Sequence, residues 1–467
     1  MGDWHFTPWQ WLLLAENELL LFAGFFFLIG AIDEFAVDLC WLWLKVTGKA
    51  RTPRSSSPVG GEPQLSGLAA VFIPTWQEAP VIGATVSHAL GVWPQRDLRI
   101  YVGCYRNDMA TAEAVMASCN NDPRLRIVIH DLAGPSTKAD CLNRLYRALQ
   151  DDEQRSGTKA RMVVLHDAED MVDPAALRLM DRALDDAELV QIPVRAERQA
   201  NSRWVAGHYL DEFAESHAKN MVVRDALGAG LPSAGVGCAI SRPVLADLAM
   251  RRGQAMPFAA DCLTEDYELG LDIGEMGLRE KFLRVRHSDG RLVATRACFP
   301  AEIDQAVRQK TRWIHGIALQ GWDRMGWSGN IVEFWMRMRD RRGPLTALVL
   351  MAGYTLLLLA AVQWLGHLAG RTEYLRMDPL LIGLLYVNLA SLIWRLLFRF
   401  GFTAREYGLA EGLLAMPRIF VANFIAIAAG RRAFVAYMRT LAGGQIRWDK
   451  TSHDAHPVHA LRAGQAA

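Results

Sequence analysis

The sequence has almost no net charge and lacks the cysteine spacings that build disulfide frameworks or zinc sites. Its 51 Lys and Arg residues are balanced by 50 Asp and Glu residues, so no overall positive field favours nucleic acid as a partner. The seven cysteines are odd in number and include no CxxC pair, which favours reduced thiols. Asp3 and His5 stand where a secretory signal has its basic region, so we expect no cleavable signal peptide.

Apolar residues are abundant instead. They make up 51% of the 467 residues, and the 15 tryptophans add to a composition that is too apolar for an ordinary soluble enzyme. Because a spanning helix needs roughly 20 apolar residues, the stretches 19–46, 344–365 and 379–398 are predicted to cross a membrane. The first is interrupted by acidic residues at 33, 34 and 38, which we expect to face protein or water instead of lipid.

The basic residues orient these spans. Clusters of Lys and Arg follow the first span, precede the second and follow the third, so all three lie in the cytosol if the N-terminus is outside. The block 47–343 is then cytosolic. A fourth apolar run, 409–429, is followed by several cations, and crossing would place these outside. We therefore favour an amphipathic helix at the cytosolic interface over a fourth span.

Between the first and second spans, short apolar runs alternate with helical patterns. This alternation predicts an α/β domain, a mainly parallel sheet with helices on both faces, and such sheets bind ligands at the carboxyl ends of their strands. The Ser, Pro and Gly-rich stretch 52–67 is predicted to be a plain linker. The predicted strands cover 68–74, 98–103, 125–130, 161–166 and 189–194, and the helices 79–92, 110–118 and 137–149.

Three polar residues follow the early strands. Glu78 opens the first helix, Asp108 precedes the second, and Lys138 lies in the first turn of the third, where free backbone N–H groups favour an anion. Each residue also has a simpler interpretation. A Glu in this position complements a helix dipole, an Asp caps a helix, and a Lys can be solvated at the surface.

The fourth strand delivers acids to the same edge. Asp167, Glu169 and Asp170 fall within four residues after an apolar run, and their charges repel unless a cation neutralises them. Carboxylates assisted by a diphosphate suit Mg²⁺ or Mn²⁺, so the pattern predicts a site for one of these ions. The alternative is a solvated acidic turn.

Two later motifs carry further candidates. Asp266 opens a helix, where it could take the proton from an acceptor hydroxyl; the alternative is that Thr264 simply caps this helix. Gln309, Arg312 and Trp313 share one helical face and combine a guanidinium suited to diphosphate with an indole suited to stacking on sugar. An Arg-Trp pair on an interfacial helix is otherwise typical of a membrane anchor.

Taken in order, these motifs resemble the membrane-integrated family 2 glycosyltransferases, the group that includes cellulose and hyaluronan synthases. The resemblance covers roughly residues 68–330 and the flanking spans. The resemblance is greatest to the subfamily of phage adsorption protein B, because of segment 74–78 and the tail from Pro417 to His453. The metal motif departs from the family's Asp-x-Asp because it reads Asp-Ala-Glu, so Glu169 must reach further or Asp170 must substitute for it. Longer relatives continue into a regulatory domain, so we do not assume their cyclic-dinucleotide control here.

The resemblance implies a GT-A fold and a role for each candidate. Donor binding falls to Glu78, Asp108, Lys138, Asp167, Gln309, Arg312 and Trp313, and metal binding to Asp167 and Glu169. Acceptor binding falls to Ser233, Gly235, Cys238 and Trp313, and the catalytic base is Asp266. The implied domains are a first span (1–46), a linker (47–67), a GT-A domain (68–300), interfacial helices (301–343), two spans (344–400), and an interfacial helix with a tail (401–467).

The resemblance also implies an activity at the bacterial inner membrane. We expect inverting, metal-dependent transfer from a UDP-sugar, for example UDP-N-acetylmannosamine, to a growing glycan acceptor, with inner-membrane lipids around the spans. A polymer made in this way would leave through an outer-membrane partner. Two alternatives remain open, namely transfer of a single sugar to a lipid phosphate, and a non-catalytic receptor or secretion scaffold that retains the fold.

Overall fold

A seven-stranded, mostly parallel sheet organises the central domain in the computed structural model, which describes residues 7–55, 64–253, 255–369, 377–444 and 456–458. The strand order is β3-β2-β1-β4-β7-β5-β8, with β7 antiparallel to both neighbours, and β6 pairs with β9 in a separate two-stranded sheet. The strands are β1 Leu68–Pro74, β2 Leu98–Tyr105, β3 Leu125–His130, β4 Ala160–Leu165, β5 Leu189–Gln191, β6 Val194–Ala196, β7 Cys238–Ser241, β8 Glu280–Phe282 and β9 Thr295–Ala297.

Helices cover both faces of this sheet and bury two separate apolar cores. One core joins α2, α3 and α5 to the sheet, and the other joins α4, α8 and α9 to its opposite face. The predicted α/β class, with its mainly parallel sheet, is therefore confirmed. The domain's helices are α2 Ala79–Val92, α3 Met109–Ser118, α4 Lys138–Ser156, α5 Ala176–Ala183, α6 Val205–Glu215, α7 Met221–Ala226, α8 Arg242–Arg251 and α9 Glu265–Glu275, with a π-helical segment, Ser216–Asn220, between α6 and α7.

One predicted strand, 189–194, is wrong as a single element. The chain leaves the main sheet after Gln191 and enters the small sheet at Val194. Pro193 lies between the two strands, and it has no N–H to donate to a ladder. Its carbonyl accepts a hydrogen bond from the Thr295 N–H, which leads into β9. The strand in the main sheet therefore ends just before a residue that cannot donate a backbone hydrogen bond.

A second set of helices connects the domain to the apolar helices. After α10 a π-helical segment, Ile314–Gln320, continues the same helical axis, and the chain then turns through α11 and α12. Among the described residues, four helices are long and apolar enough to cross a membrane, namely α1, α13, α14 and α15. The bounds are α1 Pro8–Val46, α10 Ile303–Trp313, α11 Gly321–Met325, α12 Ile331–Arg341, α13 Gly343–Leu368, α14 Pro379–Tyr407 and α15 Leu409–Leu441.

The acids inside α1 face protein, as expected. Asp33 forms ion pairs with Arg339 and Arg342, the latter at 2.7 Å, and Asp38 accepts from Lys219 at 2.7 Å. Lys219 lies in the first π-helical segment and is nearly inaccessible to solvent. The charges that interrupt the apolar run therefore fasten α1 to the central domain and to α12.

Helix α15 contacts the central domain near its start and the connecting helices α10 and α11 further along. Arg418 Nη1 lies 3.2 Å from the carboxylate of Asp211, and near the other end of α15 the Tyr437 hydroxyl donates to Asp323 at 2.7 Å. Between them, the Ala429 carbonyl accepts from Thr311. These contacts are spread along roughly 28 Å of helix at 1.5 Å per residue, nearly the thickness of a bilayer core. Helix α15 also packs against α13, where the Asn423 amide donates to the Tyr354 hydroxyl at 3.2 Å, and its composition allows a span.

The predicted linker is partly docked onto the domain. The Ser55 N–H donates to the carbonyl of Arg286, whose own N–H donates to the Pro53 carbonyl, and Thr52 accepts from Arg284 at 2.8 Å. Residues 52–55 are therefore held by the domain and are not a plain linker. Residues 56–63 lie outside the described residues, as does the tail segment Trp448–His453 that narrowed the family resemblance.

Candidate active site

Lys138 and Asp167 meet at the carboxyl edge of the sheet. Thr137 caps α4 by accepting the Asp140 N–H at 3.2 Å, which places Lys138 in the first turn. Asp167 follows β4, and its Oδ1 lies 2.6 Å from Lys138 Nζ. Burial lowers the pKa of Lys138, but the nearby carboxylates of Asp167, Glu265 and Asp266 outweigh burial and raise it. Lys138 therefore stays charged at the centre of an acidic cluster.

Two acids at the start of α9 complete this cluster. Burial raises the pKa of Asp266 above its usual value, the charge of Lys138 opposes the rise, and Asp167 adds to it. Burial, together with the charge of Asp266, also raises the pKa of Glu265, to about 8. Asp266 Oδ1 accepts the Tyr267 N–H at 2.8 Å. A carboxylate with a raised pKa at a helix N-terminus has the properties of a general base.

The segment 231–238 lies beneath Asp266. Gly235 adopts a positive φ of 70°, and a Cβ built on it would come 2.3 Å from Asp266 Oδ2, so only glycine fits. Ser233 Oγ accepts the Gly235 N–H and contacts Cys238 Sγ at 3.2 Å. Cys238 is fully buried beside Leu165, the last residue of β4. Cys238 therefore supports the segment from below.

Glu78 and Asp108 lie together at the ends of β1 and β2. Asp108 Oδ2 accepts the Gln77 N–H at 2.5 Å, and the Glu78 N–H donates to Thr111 at 3.0 Å. Asp108 occupies the N-cap position of α3 without a side-chain cap bond, so simple capping does not describe it. Thr264 likewise makes no cap bond to α9; its side chain faces Gly316 of the second π-helical segment.

The acids after β4 have different surroundings. Asp167 is about one-third exposed, whereas Asp170 is buried and its Oδ2 accepts from both His166 Nδ1 and the Asp167 N–H at 2.9 Å. Asp170 therefore shapes the turn through its Oδ2 atom, and Glu169 is also largely buried. Within the described residues, no group of three or more His, Cys, Asp or Glu side chains is arranged to hold a metal ion.

Helix α2 fastens the segment that carries these acids. Thr85 Oγ1 donates to the Ala168 carbonyl, between Asp167 and Glu169, and the Trp93 indole donates to the Asp173 carbonyl at 3.0 Å. Between these bonds, His88 Nε2 lies 2.9 Å from the carbonyl of Val172. The position of the acidic turn is thus set by a helix that begins beside Glu78.

Gln309, Arg312 and Trp313 lie at the end of α10. Gln309 is buried, and the charge of Arg312 lowers the pKa of Asp266, which places Arg312 within electrostatic range of the cluster. The Trp313 ring packs edge-to-face against Tyr209, with centroids 6.3 Å apart, under the Lys310 ammonium at 4.6 Å. Trp313 is thus fixed by an aromatic and a cation.

Sequence reasoning missed two residues of this site. Glu265 was passed over beside Asp266, although it is buried in the same cluster. Gln191 is fully buried at the end of β5, where its amide accepts the Ala234 N–H and donates to the carbonyls of Val236 and Gly237. The available signal was a lone amide in an otherwise apolar strand, because a buried amide needs backbone partners.

Comparisons with known proteins show the family to which the chain belongs. Residues 66–316 match the family model described as "Glycosyltransferase like family 2". Bacteriophage adsorption protein B of Escherichia coli strain K12 is 31% identical over 97% of this chain, and bacteriophage N4 adsorption protein B of Escherichia coli O157:H7 matches with the same values. The chain spans 64% of the length of these curated relatives. The family predicted from the sequence is therefore confirmed.

The fold matches a solved structure over most of its length. The mannosyltransferase PcManGT from Pyrobaculum calidifontis, solved in complex with GDP-Man and Mn²⁺, superposes with a TM-score of 0.50 at 17% identity. The match covers 87% of this chain and 99% of that chain. At this identity the likeness concerns the fold alone, and it confirms the GT-A class.

Proposed function

Because this chain belongs to the family 2 glycosyltransferases, enzymes that use nucleotide-sugar donors, we propose that it transfers sugar from a UDP-sugar to a growing glycan with inversion at the anomeric carbon. One observation carries the proposal. Lys138, Asp167, Glu265 and Asp266 converge at the carboxyl edge of the sheet, which is where α/β domains bind ligands.

The donor would lie across the ends of β1, β2 and β4. Glu78 and Asp108, side by side at the first two strand ends, suit the hydroxyls and imide of a uridine. Lys138 presents an ammonium beside the N-terminus of α4, a combination that favours the diphosphate. The same edge therefore offers acceptors to the nucleoside and positive charge to the phosphates.

The residues of the acidic turn fit a divalent cation. Asp167 already binds a positive charge, the Lys138 ammonium, and is open enough to accept a second cationic partner. Mg²⁺ and Mn²⁺ are held by one or two protein carboxylates when a substrate diphosphate completes the shell, so the lack of a third protein ligand among the described residues is compatible with this use. Asp167 and Glu169 would hold the ion, which when bound neutralises charge on the diphosphate.

Asp266 serves as the base. It takes the proton from the acceptor hydroxyl, whose oxygen attacks the anomeric carbon from the face opposite the leaving nucleoside diphosphate. Ser233 and Gly235, beneath Asp266, support the acceptor sugar, and Trp313 offers an aromatic surface to it. Arg312 and Gln309, on the same face of α10, stabilise the charge that develops on the leaving group.

We further propose that the enzyme acts at the bacterial inner membrane, with its catalytic domain in the cytosol. The distribution of basic residues around α1, α13 and α14 supports this orientation. The proposed product is a polysaccharide of N-acetylmannosamine that leaves through an outer-membrane partner. Transfer of a single sugar to a lipid phosphate is the second candidate.

The experiment is a donor panel with purified protein in lipid nanodiscs. UDP-sugars, including UDP-N-acetylmannosamine, are supplied with Mn²⁺, Mg²⁺ or EDTA, and released UDP and product length are measured. Metal-dependent UDP release with a long product supports the proposal, and a single transferred sugar favours the lipid-phosphate candidate. Neither hydrolysis nor transfer of any nucleotide sugar would favour a non-catalytic receptor or scaffold.

A further inference from the structure

The short described segment 456–458 docks against α2, a helix that is distant from it in sequence. His456 is only 1% exposed, although it lies close to the C-terminus of the chain, and Pro457 beside it is also buried. The ring Nε2 of His456 lies 3.0 Å from Thr85 Oγ1, on α2. His456 thus lies against the helix that begins beside Glu78, at the carboxyl edge of the sheet.

The neighbouring bonds determine where the protons lie. The Thr85 hydroxyl has one hydrogen, and its shortest contact with an acceptor is to the Ala168 carbonyl, compared with 3.4 Å to the Val81 carbonyl. With that hydrogen committed, Thr85 Oγ1 must accept from His456 Nε2–H. The other ring nitrogen, Nδ1, accepts the Val458 N–H at 3.2 Å. Both ring nitrogens are then used by the neutral imidazole, and its tautomer is fixed.

A chain of two hydrogen bonds therefore runs from His456 through Thr85 to the Ala168 carbonyl. Ala168 lies between Asp167 and Glu169, the residues assigned to the metal, so an orientation imposed on its carbonyl acts on both flanking side chains. Thr85 is 1% exposed, so water cannot replace either partner without opening the interface. The other two bonds from α2 reach Val172 and Asp173, further along the chain.

We propose that His456 is a positioning residue, which holds the turn Asp167–Glu169 in the orientation that binds the metal ion. The proposal rests on the proposed function, because it assigns the acids of this turn to a divalent cation. Residues that orient metal ligands in this way typically change metal affinity by about 10- to 100-fold when replaced. The C-terminal segment would thus form part of the active site.

The test compares His456→Leu with His456→Gln. Leucine removes the donor to Thr85, whereas the glutamine amide can supply an N–H near the position of Nε2. We expect the Mn²⁺ concentration for half-maximal activity to rise about tenfold or more in His456→Leu, with turnover at saturating Mn²⁺ changing much less, and to return toward the wild-type value in His456→Gln. A merely structural role would lower the melting temperature without this selective change.

A second readout needs no metal and no activity. Hydrogen exchange of the backbone amides in segment 166–171, measured by mass spectrometry on the metal-free protein, should be faster in His456→Leu and near the wild-type rate in His456→Gln. Thr85→Val breaks the same chain at its centre, so we expect it to raise the Mn²⁺ requirement and the combined variant to add little. Thr85→Ser, which keeps the hydroxyl, should behave like the wild type.

The outcomes separate the two proposals. A wild-type enzyme that ignores Mn²⁺ and EDTA would overturn the metal assignment, and the exchange measurement would still decide whether His456 orders the turn. An Mn²⁺-dependent wild type with an unchanged Mn²⁺ requirement and unchanged exchange in His456→Leu would overturn the role of His456 and leave the proposed function standing. Full additivity of Thr85→Val and His456→Leu would also contradict it.

Discussion

The carboxylate of Asp266 lies against the α-carbon of Gly235. A Cβ on Gly235 would come 2.3 Å from Asp266 Oδ2, closer than any non-bonded contact allows, and the backbone there has a φ of 70°. Gly235→Ala must therefore displace the proposed base. Since a displacement of about 1 Å can cost 10²-fold in rate, we expect turnover to fall by about 100-fold or more, and steady-state kinetics would measure it.

Gly277→Ala is the matched control. Gly277 has nearly the same φ, 71°, but a Cβ there would meet no atom within 4 Å. The control therefore carries the backbone strain without the clash, and its turnover should stay near that of the wild type. Equal losses in the two variants would show that strain, and not the position of Asp266, limits activity.

Replacing Lys138 by Gln should affect donor binding and pH dependence together. Loss of a charged contact to phosphate costs about 1.5–3 kcal/mol, so KM for the donor should rise by roughly 10- to 100-fold. The charge of Lys138 lowers the pKa of Asp266, so its removal raises that pKa further. Because the base acts only when deprotonated, the acidic limb of the kcat–pH profile should move to higher pH.

Lys138→Arg retains the charge and serves as the control for this prediction. It should keep the acidic limb near its wild-type position, even if the longer side chain weakens donor binding. An acidic limb that does not move in Lys138→Gln would contradict the assignment of that limb to a base beside Lys138.

Glu280 should make stability depend on pH. Its Oε2 accepts the Leu231 N–H at 2.8 Å, at the start of the segment 231–238. Burial raises the pKa of Glu280 to about 8. The folded state thus favours the protonated carboxyl. The contribution to stability is complete below the unfolded pKa of about 4.3 and is lost as pH rises through about 8.

Glu280→Gln removes the titrating group and keeps a carbonyl oxygen for the Leu231 N–H. We expect its melting temperature to exceed that of the wild type at pH 8.5 and the gap to shrink toward pH 6. Differential scanning fluorimetry in nanodiscs would measure both. A wild type that is no more sensitive to pH than Glu280→Gln would show that Glu280 is not buried in this way.

The interfacial position of α15, which the sequence favours, predicts a topology that labelling can check. Gly444, just after the end of α15, should lie on the cytosolic side with the catalytic domain, whereas Ala369, just after the end of α13, should lie on the opposite side. Single cysteines at these positions, in a background without the seven native cysteines, can be labelled in intact cells with a membrane-impermeant maleimide. Labelling of both from outside would mean that α15 crosses.

Much of the fold follows from local pattern. The strands that end at Pro74 and His130 and the helix Ala79–Val92 begin and end where the sequence predicts, because short buried apolar runs bounded by polar turns leave little alternative. The break at Pro193 has a local cause, but the pairing of β5 depends on an antiparallel strand, β7, that arrives from distant sequence. Periodicity shows that a strand exists, but it does not show which neighbour it pairs with.

The site, like the fold, was predictable only in part from local sequence. Motif order predicted which acids belong to it, and Asp167, Asp266 and Lys138 do converge. It could not predict that Asp170 would be used by His166 and the Asp167 N–H, because that depends on the path of the turn. Nor could it predict that His456, almost 300 residues away in sequence, would bond Thr85 beneath the same turn.

Asp266→Asn provides the most direct test of the central claim, that Asp266 is the base in a sugar transfer at the edge of the sheet. Asparagine fills the same space and cannot accept the proton, so we predict that transfer falls by about 10²- to 10⁴-fold while isothermal titration calorimetry shows donor affinity close to wild type. Near-normal transfer by the Asp266→Asn variant would contradict the account.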